Sequence, residues 1–169
     1  MLSVLAELED ETLPRLLMDP NWSSLDINHE NPRVERVWRQ WGDYRICLHR
    51  IHQCAEDEAH FHPHPWPSAM RIISGHYEMG IGYSETDQPP PCAAVVRGSD
   101  GMTYEMTDPN GWHYVRPLSR EVISLMITGK RWGRTDLLKP QGLKPLSEDR
   151  LHEIIDIFAR IYVSEDMME

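Results

Sequence analysis

The stretch HFHPHPWPSAMRIISG, residues 60–75, places His60, His62 and His64 at alternate positions. Pro63, Pro65 and Pro67 stand among and just after them, each removing an amide donor and disfavouring helix before it. The segment is therefore extended, and a period of two turns all three imidazoles to one face. Neutral imidazole is a ligand for Fe, Zn, Cu and Ni. The row is either a set of converging metal ligands or a solvent-facing stripe. A further histidine, His113, follows a proline–glycine turn in DPNGWH at 108–113. On the strand before the row, Arg45 shares a face with Cys47, His49 and Ile51, and Arg50 takes the other. An inward arginine could clamp a substrate carboxylate bidentately, against the alternative of a guanidinium paired at the rim.

Alternation dominates the middle of the chain. YRICLHRIHQ (44–53), CAAVV (92–96), MTYEM (102–106), WHYV (112–115) and EVISLMIT (121–128) read as strands. RIISGHYEMGIGY (71–83) reads as a hairpin turning near Gly75, with Tyr77, Met79 and Ile81 on one side. SETDQPPP (84–91) and GSDG (98–101) read as a loop and a turn. The ends are different. Leu2, Leu5 and Leu8, then Leu13, Leu16 and Leu17, give short amphipathic helices broken by Pro14. DPNWSSLDINHENP (19–32) is turn-rich, and PRVERVWRQW (32–41) suggests a further helix with Pro32 at its first position. Leu151, Ile154, Ile155, Phe158, Ile161 and Tyr162 fall at helical spacing behind a Ser147 N-terminus.

Bulk composition sets the class. The chain has 169 residues, 40% hydrophobic and 26% charged, enough for one ordinary core. Its net charge is −10, with 17 Lys and Arg scattered rather than striped, so nucleic acid is excluded as an expected partner. VISLMI (122–127) is too short to span a bilayer, and MLSVLAELEDE is too acidic for a secretory signal. Cys47, Cys54 and Cys92 form no even framework and read as reduced thiols, consistent with a cytoplasmic location.

HPHPWPSAMRIISG (62–75) resembles the first motif of the cupin family: an HxH pair, two apolar residues and a closing glycine, here His62, His64, Ile72, Ile73 and Gly75. The second cupin motif, a proline–glycine turn followed by a histidine, is matched by Pro109, Gly111 and His113. The likeness covers residues 44–130. It implies a metal held by His62, His64 and His113, with His60 as the neighbour that a shift of register would bring in. The distance to Gly75 favours the 62/64 pair. Ser68 stands where cupins commonly carry a glutamate ligand, and the turn to His113 is one residue tighter than usual. The missing carboxylate points to a three-histidine site like that of thiol dioxygenases. Their late His-x-Tyr pair is replaced here by Met126 and Thr128.

The expected architecture is mainly β, an antiparallel cupin-type β-barrel (jelly roll) with flanking helices in one domain, 1–169. Its parts are a helical segment at 1–43, a barrel core at 44–138 and a C-terminal helix at 147–162. The expected activity is that of a mononuclear metal-dependent oxygenase, a dioxygenase acting on a small organic acid or thiol. The expected metal is Fe(II), with Zn, Mn and Ni as the other candidates. A metal-dependent isomerase or hydrolase, or a non-catalytic binding protein, are the alternatives. Arg45, Trp66, Ser68 and Tyr77 are the candidate substrate contacts, with Met70, Tyr104 and Trp112 as further pocket walls. Glu78, out of phase with the core-facing residues, is expected to be exposed. The expected partners are a small molecule and O2, with no nucleic acid and no membrane, and a homodimer is compatible with the sequence.

Overall fold

The computed structural model describes residues 1–133 and 142–163. The N-terminal leucines build α1 (Leu2–Glu7), a single π-helical stretch (Leu8–Thr12) and α2 (Leu13–Leu17). Pro14 sits in the first turn of α2, where a missing amide hydrogen leaves no intrahelical bond unmade. The C-terminal helix α3 (Glu148–Tyr162) starts where its sequence implies, with the Ser147 hydroxyl accepting from the Arg150 amide at 3.4 Å. The last residues of the expected barrel core, 134–138, lie outside the described residues.

Among the described residues ten strands run between these helices: β1 (Ser23–Ile27), β2 (Val34–Trp41), β3 (Tyr44–His52), β4 (His62–Pro63) and β5 (Ser68–Ser74), then β6 (Tyr77–Tyr83), β7 (Ala94–Gly98), β8 (Thr103–Met106), β9 (Gly111–Pro117) and β10 (Glu121–Thr128). They form a six-stranded sheet in the order β1-β2-β3-β10-β5-β8 and a four-stranded sheet in the order β4-β9-β6-β7, with every named pair antiparallel. The two sheets face each other as a jelly roll and do not close into a barrel.

The segment 1–43 is thus not helical throughout. Residues 23–27 and 34–41 are strands, and β2 extends the large sheet by pairing with β3 from Val34↔Ile51 to Trp41↔Tyr44. Val34, Val37, Trp38 and Trp41 happen to recur at helical spacing, but each face of β2 meets a different layer. Val37 is fully buried beneath the helices, while Arg36 lines the opposite, inner face. Apolar residues on both faces of one strand imitate an amphipathic helix.

The segment 71–83 is also not a hairpin. β5 belongs to the large sheet and β6 to the small one, so the turn at Gly75 carries the chain across the sandwich. Gly75 has φ +85°, and a Cβ there would sit 2.6 Å from the Glu121 carbonyl oxygen, so the corner requires glycine.

The large sheet is covered on both sides. Leu5, Leu8, Leu13 and Leu17 from the N-terminal helices, with Ile154 and Phe158 from α3, pack over Val37, Ile46, Leu48 and Leu125. Its inner face contributes Ile51, Ile72 and Val122 to a core shared with Tyr77, Met79 and Val115 of the small sheet. Glu35, 1% exposed, ties α3 to the outer face: it accepts from Arg150 at 2.6 Å and from His52 at 3.0 Å and lies 3.6 Å from Arg50. The helix-bearing side is therefore structural. The inner face, where the sheets diverge, holds the polar groups.

Candidate metal centre

β4 is only two residues long because Pro63 and Pro65 cannot continue a ladder, yet its pairing with β9 sets His62 directly opposite His113. Beyond β4 the extended chain is held by other amides: Gly129 donates to the Pro67 carbonyl at 2.9 Å and Trp132 to that of Pro65 at 2.8 Å. His64 is thereby brought over His113. Their Nε2 atoms lie 2.8 Å apart, and one ligand atom from each of His62, His64 and His113 falls within 4.8 Å of the others. The ring centroids are separated by 5.1, 4.9 and 4.7 Å.

The rings of His62 and His113 are each oriented by the second nitrogen. His62 Nδ1 donates to the His60 carbonyl at 3.0 Å, which leaves its Nε2 lone pair free to ligate. His113 Nδ1 contacts the Met79 sulfur at 3.4 Å, so its Nε2 also faces the cluster. Burial, reinforced by the neighbouring imidazoles, holds His64 and His113 well below the ordinary 6.5. Burial likewise lowers His62. Three uncharged imidazoles converging from β4, the extended chain just beyond it and β9 are a donor set suited to one divalent ion. His60 is not among them: it stacks on His62 with centroids 5.5 Å apart and lies 3.7 Å from Glu30. The pair within the row is 62/64.

The cluster forms part of the wall of a cavity of about 380 Å³, a size typical of small-ligand sites. Of the candidate substrate contacts, Arg45 and Trp66 line it, with the guanidinium 4.9 Å from the indole centroid. Arg131 lies over the same indole at 5.4 Å. Met70 lines the cavity as expected.

Ser68 and Tyr77 are placed elsewhere. Ser68 is buried on β5 between Met106 and Thr128, outside the cavity lining. Tyr77, also outside it, donates to the Tyr104 hydroxyl at 2.7 Å within the inter-sheet core. Burial pushes the Tyr104 hydroxyl up to about 12, so this pair stays protonated. Neither Tyr104 nor Trp112 lines the cavity; Trp112 packs against Phe61, 6.1 Å between centroids. Alternation explains this, since a strand that turns His113 inward must turn Trp112 outward. Glu78 is buried rather than exposed, accepting from Arg116 and Tyr114 at 3.1 Å each. The Arg116 bond, together with those from Tyr114 and Arg97, holds its carboxyl low against the effect of burial. It is not a ligand.

The cavity also holds a pair that the sequence reading did not assign. His49, 3% exposed, accepts at Nε2 from Arg36 Nε at 2.9 Å, and both residues line the wall. Burial, then the Arg36 charge, keeps His49 well below 6.5 and neutral. The face shared by Arg45, Cys47 and His49 pointed to His49, but Arg36 was hidden in a segment read as helix.

Solved structures bring the same architecture. The iron(II) form of HppE superposes with a TM-score of 0.52 at 11% identity, over 66% of this chain and 58% of HppE. The cupin domain of Cnp3 from Schizosaccharomyces pombe matches at 0.43 and 11% identity, over 63% of this chain and 65% of that one. The fold is the two-sheet antiparallel jelly roll that this chain shares with HppE. KdgF from Halomonas sp. matches at 0.46 and 13% identity, over 68% of this chain and 92% of KdgF. No family profile and no curated protein sequence matches the chain. The chain spans under two thirds of the length of HppE, and at such identity the likeness concerns the fold. What this chain carries of its own is the cluster of His62, His64 and His113 on the wall of a cavity edged by arginines.

Proposed function

We propose that this cupin is a mononuclear Fe(II) oxygenase whose substrate is a small organic acid. The observation that carries the reading is the placement of three neutral imidazoles and the Arg45 guanidinium on the wall of one cavity. Fe(II) bound there would supply one-electron chemistry toward O2 at coordination positions that three protein ligands leave open. The residues do the rest. His62, His64 and His113 hold the ion, and the His60 carbonyl fixes the His62 tautomer. Arg45, held over Trp66, receives a carboxylate edge-on and orients the substrate toward the cluster. Met70, Met126 and Val115 wall the same space and keep water from the reacting carbon. A guanidinium in the wall favours an acid over a simple thiol, and the absence of the His-x-Tyr pair at 126–128 agrees with that choice.

The test is elemental analysis of untagged protein together with O2 uptake in the presence of small acids and thiols. About one iron per chain and acid-dependent uptake are expected. Zinc with no uptake would move the site to hydrolytic or isomerising chemistry, and stoichiometric metal with no turnover of any kind would make it a binding protein.

A further inference from the structure

We infer that the cavity takes an extended organic dianion, a dicarboxylate with one carboxylate at Arg45 and the other at Arg36. The inference rests on the reading of this cavity as the substrate site and specifies its substrate class.

The chain pairs its other buried or half-buried arginines with carboxylates. Arg39 meets Asp19 at 3.2 Å, Arg50 meets Glu153 at 2.8 Å, Arg71 meets Glu9 at 2.6 Å and Arg116 meets Glu78 at 3.1 Å. Arg36 and Arg45 break this habit. Arg36 bonds to the neutral His49 ring, which fixes its direction without cancelling its charge. Arg45 is held by two indole faces, 4.9 Å from Trp66 and 5.6 Å from Trp38. Among the described residues neither makes an ion pair, and Glu30, the one acid lining the cavity, lies instead 3.7 Å from His60 and 3.9 Å from His29. In a protein of net charge −10, two half-buried guanidiniums without acids face one cavity. An anionic ligand supplies the missing counter-charges.

The register argues for two separate anchoring points. Arg36 stands opposite His49, and Gln40 stands opposite Arg45, with the Trp38–Cys47 row between. Four residues of strand put those rows about 13 Å apart at Cα. His49 restrains one guanidinium and the two tryptophans the other, so each serves its own end of the cavity. Between them Met70 and Met126, packed with Cys47, present an apolar surface suited to a methylene chain. A ligand with a charge at each end and carbon in the middle matches this layout.

The experiment is calorimetric titration of the full chain at low ionic strength with butyrate, succinate, glutarate and adipate. It is run on metal-loaded protein and again after chelation, with metal content measured separately. At least one dicarboxylate should bind about tenfold or more tighter than butyrate, the scale of one charge-assisted contact. Arg36→Gln and Arg45→Gln should each bring that dicarboxylate down to the level of butyrate, while thermal unfolding of both variants stays near that of the parent. Butyrate binding as tightly as every dicarboxylate would overturn the inference without reference to any variant. So would a preference that survives Arg36→Gln. Dicarboxylate binding that persists in protein unable to retain metal would uphold the two-arginine site while removing the oxygenase reading.

Discussion

His64 and His113, separated by 49 residues, meet nitrogen to nitrogen at 2.8 Å. Two neutral imidazoles at this distance share one proton: one Nε2 donates and the other accepts. His62 completes the group from directly across the β4–β9 ladder. Three ring nitrogens are thus assembled by backbone pairing on one side and by a proline-interrupted segment on the other, with little side-chain freedom left to lose when a cation displaces the shared proton.

That assembly sets an acid limit on stability. His49, His64 and His113 are held well below 6.5 in the folded protein, first by burial, and His62 is lowered by the same cause. Unfolded, they return to the ordinary value. Between the two values the unfolded chain binds more protons than the folded one, so stability falls as pH drops from 6.5. The lowered carboxylates Glu35 and Glu78 add a second loss below about 4.5. Melting temperature against pH should therefore begin to decline near pH 6.5. A plateau holding down to pH 4.5 would show that the histidines titrate freely.

A different site tests the crossing between sheets. Gly75 combines φ +85° with an approach of 2.6 Å from an added Cβ to the Glu121 carbonyl oxygen and 2.7 Å to Ser119 Oγ. Alanine would meet an unfavourable backbone conformation and a fixed backbone atom together. Gly75→Ala should cost about 2–3 kcal/mol in urea unfolding. Gly101, at φ +82° but with nothing within 4 Å, should lose about 1 kcal/mol on the same change.

The mainly β fold class and the convergence of three histidines were legible in the sequence, while strand β2 and the lining of the cavity were not. The His62, His64, Gly75 and His113 spacing is local chemistry punctuated by prolines and glycines, and these fix the backbone without help from distant residues. Strand β2 was lost because burial on two faces erased its alternation, and the imitation helix hid Arg36. Tyr77 and Ser68 were misplaced for a related reason. Alternation says that a residue faces inward, but not whether the interior at that height is cavity or packed core. At the level of Tyr77 the two sheets touch, with Tyr77, Met79 and Val115 of one packed against Ile51, Ile72 and Val122 of the other. Where His49, Arg45 and the histidine cluster line the wall, the space opens.

The helix-bearing side makes its own prediction. Glu35 is 1% exposed and faces Arg150, His52 and Arg50. Burial pushes its carboxyl up, but the Arg150 and His52 bonds outweigh this and hold it below its ordinary value. Removing the acid takes from Arg50, 4% exposed, the one buried carboxylate among its partners and breaks the 2.6 Å ion pair of Arg150. Glu35→Ala should lower unfolding stability by about 3 kcal/mol. Metal content should be unchanged, since the residue lies on the opposite face of the sheet from the cavity. Loss of metal in a variant that remains folded would mean that the two faces are coupled.

The final prediction concerns the ligands themselves. His113→Ala removes the one ligand from β9 and the nitrogen-to-nitrogen contact that positions His64. It should strip the protein of most of its metal. His60→Ala should not, although His60 stacks on His62. What orients the His62 ring is the carbonyl of residue 60, a backbone group that alanine keeps. Metal per chain after dialysis against a weak chelator should fall to near zero for His62→Ala, His64→Ala and His113→Ala. For His60→Ala it should stay near the parent's value, with a modestly faster release because the stacked ring is gone. Full metal in all four variants would mean that the ion binds elsewhere. Loss in His60→Ala with retention in His64→Ala would move the ligand pair two residues toward the N-terminus.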